Sequence, residues 1–182
     1  MKIMIASDIH GSRYYAAALL ERLKEDNPSR LVLLGDILYH GPRNDLPRDY
    51  DTKAVTAMLN ALEPAPLCIR GNCDGEVDQM VLRFPVLADF AMLYLDGRAV
   101  YLSHGHHLEE ASKALHPGDI LLYGHTHVPD FTLRDGVRYV NPGSVSLPKD
   151  GSAHSYLLWE DGALLWKDVE TGEVLRRETL PQ

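Results

Sequence analysis

Five short apolar runs, each ending in side chains that coordinate cations well, constrain the fold more than any other feature. Lys2 to Ala6, Leu31 to Leu34, Leu67 to Ile69, Ala99 to Leu102 and Ile120 to Tyr123 are rich in Ile, Val, Leu and Tyr. Gly, Asp, Asn or His bounds them, as expected of buried strands. Close behind follow Asp8-Ile9-His10, Gly35-Asp36, Gly71-Asn72-Cys73-Asp74, Ser103-His104-Gly105 and Gly124-His125-Thr126-His127. Helical stripes lie between the early runs. Ala16, Leu19, Leu20 and Leu23 recur at i, i+3, i+4 and i+7 ahead of Pro28. Val55, Met58, Leu59 and Leu62 repeat the stripe, with Asp51 or Thr52 as N-cap and Pro64 beyond the end. Strands alternating with helices predict an α/β fold with a largely parallel sheet, whose ligand sites form at the carboxyl ends of its strands.

The C-terminal third follows another pattern. Phe131 to Arg134, Val137 to Val140, Tyr156 to Glu160 and Ala163 to Val169 read as strands joined by Asp135-Gly136 and Asp161-Gly162, both hairpin turn signals. They predict antiparallel meanders that form or extend a second sheet.

The chain has 182 residues and no composition break, which predicts a single domain over 1–182. Its net charge of −8 opposes strong nucleic-acid binding, since phosphate contacts need a basic surface. No apolar run approaches the ~20 residues that span a bilayer, and the first residues lack the apolar core of a signal peptide. No membrane association and a cytoplasmic location are therefore expected. Cys68 and Cys73 do not form a C-x-x-C pair, so a disulfide or zinc knuckle is disfavoured.

Asp8 and His10 straddle one residue, so on extended backbone both side chains leave the same side. The Asp36 carboxylate has two oxygens and can bridge two cations. Asn72 offers a carbonyl oxygen, while His104, His125 and His127 offer imidazole nitrogen. Mixed oxygen and nitrogen donors suit Mn, Fe, Zn, Ni or Co better than Ca. Singly, each motif is more often a turn or a structural histidine; the joint order of all five favours metal binding.

In that order the motifs resemble the calcineurin-like metallophosphoesterases, whose D-x-H, G-D, G-N-H-D/E, single H and G-H-T/S-H blocks run across almost the whole chain. The resemblance implies a two-sheet sandwich flanked by helices and hydrolysis of phosphate esters, with a small phosphate ester as substrate. It also implies two divalent cations, manganese first, with zinc, nickel, cobalt or iron as alternatives. Carried over, Asp8, His10, Asp36 and His127 would hold the first; Asp36, Asn72, His104 and His125 the second. A hydroxide bridging them would attack phosphorus in line, and no protein nucleophile is implied.

The chain departs from the family at Cys73, where most members carry His. Cys73, Asp74 and Asn72 are the candidate catalytic residues, with packing the competing reading for Cys73 and loop orientation for Asp74. A thiol donates a proton poorly to a basic alkoxide, so the expected substrates are small diesters, unless His40, His106 or His107 supplies the proton. Arg13 is a candidate for reaching phosphate. The long connection Leu38 to Asp51, with Tyr39, His40, Arg43 and Arg48, is a candidate substrate rim or subunit contact, which leaves a homo-oligomer open. Asn141-Pro142-Gly143-Ser144 is a turn that the resemblance places in support of the site. Two alternatives are a phosphomonoesterase or nucleotide phosphatase, and a non-catalytic scaffold like the retromer subunit of the same fold. Intact ligand residues argue against the scaffold.

Overall fold

The computed structural model describes residues 1–180, so the last two residues of the expected 1–182 domain lie outside it. A six-stranded sheet has the order β11-β10-β9-β1-β2-β3, and a five-stranded sheet the order β4-β5-β6-β8-β7. In the first, β1 (Lys2–Ala6), β2 (Arg30–Leu33) and β3 (Leu67–Cys68) run parallel, and β9 (Ser155–Glu160) lies antiparallel to β1. β10 (Ala163–Asp168) and the edge strand β11 (Val174–Thr179) complete it. In the second, β5 (Arg98–Ser103), β6 (Ile120–Leu122) and β8 (Val137–Asn141) are parallel, flanked by antiparallel β4 (Phe90–Leu95) and β7 (Asp130–Arg134).

Strand alternation builds the layers. Ile3, Ile5, Val32, Leu157 and Trp159 from the first sheet meet Val100, Leu102, Ile120, Leu122 and Val140 from the second in one buried cluster, the sandwich interior. Met4, Ala6, Leu31 and Leu33 point the other way, onto α1 (Arg13–Asp26) and α2 (Thr52–Asn60). Leu121, Tyr123, Val137 and Tyr139 form the outer face of the second sheet, against Leu108 of α4 (Leu108–Ser112). The short α3 (Glu76–Gln79) follows the Gly71–Asp74 loop. This is the two-sheet α/β sandwich flanked by helices. No helix among the described residues is long and apolar enough to cross a membrane.

The helices form where their stripes require. Tyr15, Ala16 and Leu19 of α1 are buried, and Ser12 caps it by accepting from Tyr15 N–H at 3.3 Å. Val55 and Leu59 of α2 are buried; Asp51, rather than Thr52, caps it, accepting from Ala54 N–H at 3.0 Å.

Two expectations are corrected. Neither sheet is largely parallel: two of the five strand pairings in the first sheet and two of the four in the second are parallel, the rest antiparallel. The C-terminal hairpins also do not share the second sheet. The β7–β8 hairpin joins it through Asp135-Gly136, whereas the β9–β10 hairpin, turning at Asp161-Gly162, pairs with β1 in the first. Both turns have positive φ at each central residue, as Asp-Gly hairpins require. A third such turn, Asp96-Gly97, joins β4 to β5.

Candidate metal centre

Beyond the ends of β1, β2 and β6, five residues take a backbone conformation that is uncommon for residues with side chains. Asp8, His10, Asp36, His125 and His127 have φ of 60°, 49°, 55°, 67° and 62°. Left-handed backbone at non-glycine residues costs on the order of 1–3 kcal/mol each, and such strain clusters at functional sites. Hydrogen bonds hold the loops in place. Asp8 N–H donates to Gly35 O at 3.2 Å and His10 N–H to Asp36 O at 2.9 Å. The hydroxyls of Ser144 and Ser146 both donate to Asp8 O, at 3.0 and 3.1 Å. Two glycines let the loops close: a Cβ on Gly71 would lie 2.1 Å from Asp36 Oδ1, and one on Gly124 2.0 Å from Ser7 Oγ. The 141–144 turn sits behind this loop, Asn141 Nδ2 donating to Gly124 O at 2.8 Å.

These loops bring the expected ligands together. His127 Nε2 is 3.3 Å and His10 Nε2 3.6 Å from Asp8 Oδ1. Asp36 Oδ2 lies between two rings, 3.6 Å from His10 Nε2 and 3.4 Å from His104 Nε2. Asn72 Oδ1 stands 3.1 Å from His104 Nε2. The His125 ring is 5.1 Å from that of His104, centroid to centroid, and lines the adjoining cavity. Asp8, His10, Asp36, His104 and His127 are buried within a protein interior that would normally exclude such groups.

The donor set fits divalent cations. Carbonyl oxygens only accept, so the Nδ1 atoms of His10, His104 and His127 donate to Tyr39, Leu34 and Leu147 O, at 2.8, 2.6 and 2.6 Å. In each neutral ring the Nε2 lone pair therefore turns inward. Two of these, on His10 and His127, are 3.3 Å apart and cannot satisfy each other while both rings are neutral. Asp8 Oδ1 is buried with no hydrogen-bond partner. A cation among these atoms resolves both conflicts.

The metal-free electrostatics show the same demand for positive charge. Burial would raise the Asp8 carboxyl, but the close His10 and His127 imidazoles, with the His104 charge, hold it well below the usual range. Burial would lower the His104 imidazole, yet the Asp36 hydrogen bond and the Asp8 and Asp36 charges push it up to about 9. His125 goes the other way, down to about 4 through burial and the His104 charge, which leaves its ring free to accept.

Asp74 faces backbone donors. Its Oδ2 accepts from the backbone N–H of Asp36 and Gly71, each at 2.7 Å, and its Oδ1 from Ile37 N–H at 2.9 Å. With both oxygens occupied by backbone donors, it clamps the Asp36 loop to Gly71 instead of facing a substrate. Cys73 does face the cavity, and its Sγ lies within 4.8 Å of donor atoms of His10 and Asp36. Burial and the neighbouring Asp36 push its thiol up to about 12. Asn72 Nδ2 donates to that sulfur at 3.2 Å, leaving the Asn72 carbonyl oxygen toward His104.

Other candidates sort by their partners. Arg13 pairs with Asp49 at 2.7 Å and does not line the cavity beside the cluster. Arg48 lies over the Tyr14 ring at 3.4 Å, tying the 38–51 connection to α1. His40 packs edge-on against Tyr39 and Tyr50. His107 pairs with Glu110 at 3.2 Å, and His106 is 6.2 Å from His125 between ring centroids. A cavity of about 400 Å³ opens beside the cluster, lined in part by Arg43, Asn44, Thr126 and Lys149. Asn44 and Lys149 were not legible in the sequence, because nothing in Ser-Leu-Pro-Lys or Arg-Asn marks a site without the fold.

Comparison with known proteins bears on the same residues. Residues 1–161 match the model of the calcineurin-like phosphoesterase superfamily domain. The chain is 44% identical over 165 residues to phosphodiesterase YfcE of Escherichia coli, covering 90% of both chains. It is 26% identical over 151 residues to phosphodiesterase MJ0936 of Methanocaldococcus jannaschii, covering 79% of this chain and 83% of that one. The structure of the E. coli phosphoesterase Yfce superposes with a TM-score of 0.93 over 100% of both chains, at 40% identity.

Proposed function

This chain belongs to the calcineurin-like phosphoesterase superfamily, is a hydrolase of phosphoric ester bonds and, we propose, is a phosphodiesterase working with two divalent cations. The observation that carries the two-cation reading is Asp36 Oδ2, set between His10 and His104 beside the unpartnered Asp8 Oδ1. Asp8, His10, Asp36 and His127 would hold one cation, and Asp36, Asn72, His104 and His125 the other, with manganese the expected ion. When bound, such a pair supplies positive charge for an anionic ester and lowers the pKa of water from about 15.7 towards ~7. The likeness to two proteins named phosphodiesterases supports the diester as substrate.

The chain's own groups do the positioning. The carbonyls of Leu34, Tyr39 and Leu147 fix the tautomers of three imidazoles, and Asp74 fixes the backbone that carries Asp36. Without metal, burial and the Asp36 charge hold the Cys73 thiol protonated, and on the family resemblance it stands where most members carry a stronger acid that helps an alkoxide leave. Esters with good leaving groups are therefore favoured. Manganese-loaded protein should turn over bis(p-nitrophenyl) phosphate faster than p-nitrophenyl phosphate, and chelator should abolish both. A higher kcat/KM for the monoester would identify a phosphomonoesterase instead.

Cys73→His should raise kcat/KM for alkyl diesters by about tenfold, short of the ~10²–10⁴-fold that a well-placed acid supplies. Nitrophenyl diesters should gain little. The observable is the slope of log kcat/KM against leaving-group pKa with metal content matched. An unchanged slope would make Cys73 a packing residue.

A further inference from the structure

The cavity beside the candidate metal centre carries two cationic side chains with no partner among the described residues. Arg43 and Lys149 both line it, and neither side chain has a hydrogen bond or ion pair among the described residues. Arg13, Arg22, Lys24 and Lys167 are each paired with a carboxylate; among the described residues Lys53, Arg83, Lys113 and Arg177 also lack such a partner, but none of them lines this cavity. The only acid on the cavity wall is Asp36, in a chain with 26 acidic and 18 basic residues. Unpaired cations concentrated at a concave site of an acidic protein mark a place for an anion.

Both are held there by local structure. Asn44 N–H donates to Gly41 O at 3.4 Å and its Nδ2 to His40 O at 2.7 Å, closing a turn that presents Arg43. That turn packs on the site: a Cβ on Gly41, at φ +82°, would lie 3.1 Å from Cys73 Sγ. Lys149 N–H donates to His127 O at 3.2 Å, which places Lys149 on the cavity wall beside a metal-ligand candidate.

The reacting phosphate of a diester carries one negative charge, and two divalent cations beside two carboxylates already attract it. Arg43 and Lys149 add two further positive charges, matching a phosphate monoester of about −1.5 to −2 near pH 7. At about 400 Å³ the cavity has the size of a small-ligand site. We infer that the substrate is a diester whose one arm bears a second phosphate, read by Arg43 and Lys149. This rests on the phosphodiesterase reading. In the reaction itself water oxygen bonds to the diester phosphorus, the ester P–O bond breaks, the leaving oxygen departs with its electron pair, and the proton released by the water passes to that oxygen or to solvent; the second phosphate is untouched.

The test compares thymidine 5′-(p-nitrophenyl phosphate) with the same compound bearing a 3′-phosphate, so nucleoside, scissile bond and leaving group are constant. Manganese-loaded protein should prefer the 3′-phosphorylated compound by about tenfold in kcat/KM, expressed mainly in KM. The preference should shrink as salt rises and fall to about one in the Arg43→Gln/Lys149→Gln double variant. Equal kcat/KM for the two substrates in the wild type would overturn the inference. So would a double variant that slows both substrates equally, since the cations would then serve the reacting phosphate. Equilibrium dialysis of thymidine 3′,5′-bisphosphate against thymidine 5′-monophosphate supplies a readout without turnover. Tighter bisphosphate binding that the double variant loses supports the second-phosphate site even if neither ester is hydrolysed, whereas equal binding refutes it. Failure of turnover alone would count against the phosphodiesterase reading.

Discussion

Asp36→Asn should lower kcat/KM by more than about 100-fold, the upper end of what disturbing a ligand's supporting hydrogen bond costs. It should also do more damage than replacing His127. Asp36 Oδ2 lies between His10 and His104, whereas His127 faces only Asp8 and His10. An amide at this buried position removes the negative charge that two imidazoles share. It also leaves its NH2 to face either the rings or the Cys73 N–H, which now donates to Asp36 Oδ1 at 2.8 Å. Metal content measured beside turnover distinguishes loss of both ions from loss of one. A variant that keeps two tightly bound ions and near-normal turnover would show that Asp36 is not shared.

The metal-free protein should become less stable as pH rises from about 6.5 to 9, the reverse of the usual acid sensitivity of a metalloprotein. The folded-state pKa of His104 is raised to about 9 by Asp36 and Asp8, against its own burial. A raised pKa means that the folded state binds the proton more tightly. Its stabilisation is therefore complete below the unfolded value near 6.5 and disappears as pH passes through 9. The loss is on the order of 3 kcal/mol. His10, also raised through its bond to Asp8 despite burial, adds the same sign. A bound cation must displace the His104 proton, so apparent metal affinity should climb by up to about tenfold per pH unit in this window. Thermal unfolding in chelator, repeated in manganese, checks both statements. A chelated protein equally stable at pH 6.5 and 8.5 would remove the charge interaction from the account.

Much of the site was legible because each strand end announces itself locally: an apolar run stops and Asp, Asn or His follows. The left-handed backbone at Asp8, His10, Asp36, His125 and His127 was not legible, although Asp and His tolerate it better than most residues. Between catalysis and loop orientation the sequence could not choose for Asp74, because its contacts are backbone N–H groups of Asp36 and Ile37 far away in sequence. Arg13 was obscured similarly by its partner Asp49 on a distant loop.

The fold shows the same division between local and distant information. The Asp135-Gly136 and Asp161-Gly162 turns specify hairpins, but which sheet edge a hairpin joins depends on strands over a hundred residues away, as for β9 on β1. β4 escaped notice because it is apolar on both faces: Ala91 and Leu93 pack inward while Phe90, Met92 and Tyr94 are exposed, so no alternation appears. β11 pairs only with β10 at an edge and is almost wholly exposed, leaving no burial pattern to read.

The most direct measurement is a titration of chelator-treated protein with manganese, following bound metal and hydrolysis of bis(p-nitrophenyl) phosphate together. The account predicts two ions per chain, with activity reaching its plateau only as the second binds. Full activity with one ion bound, or without any, would contradict it.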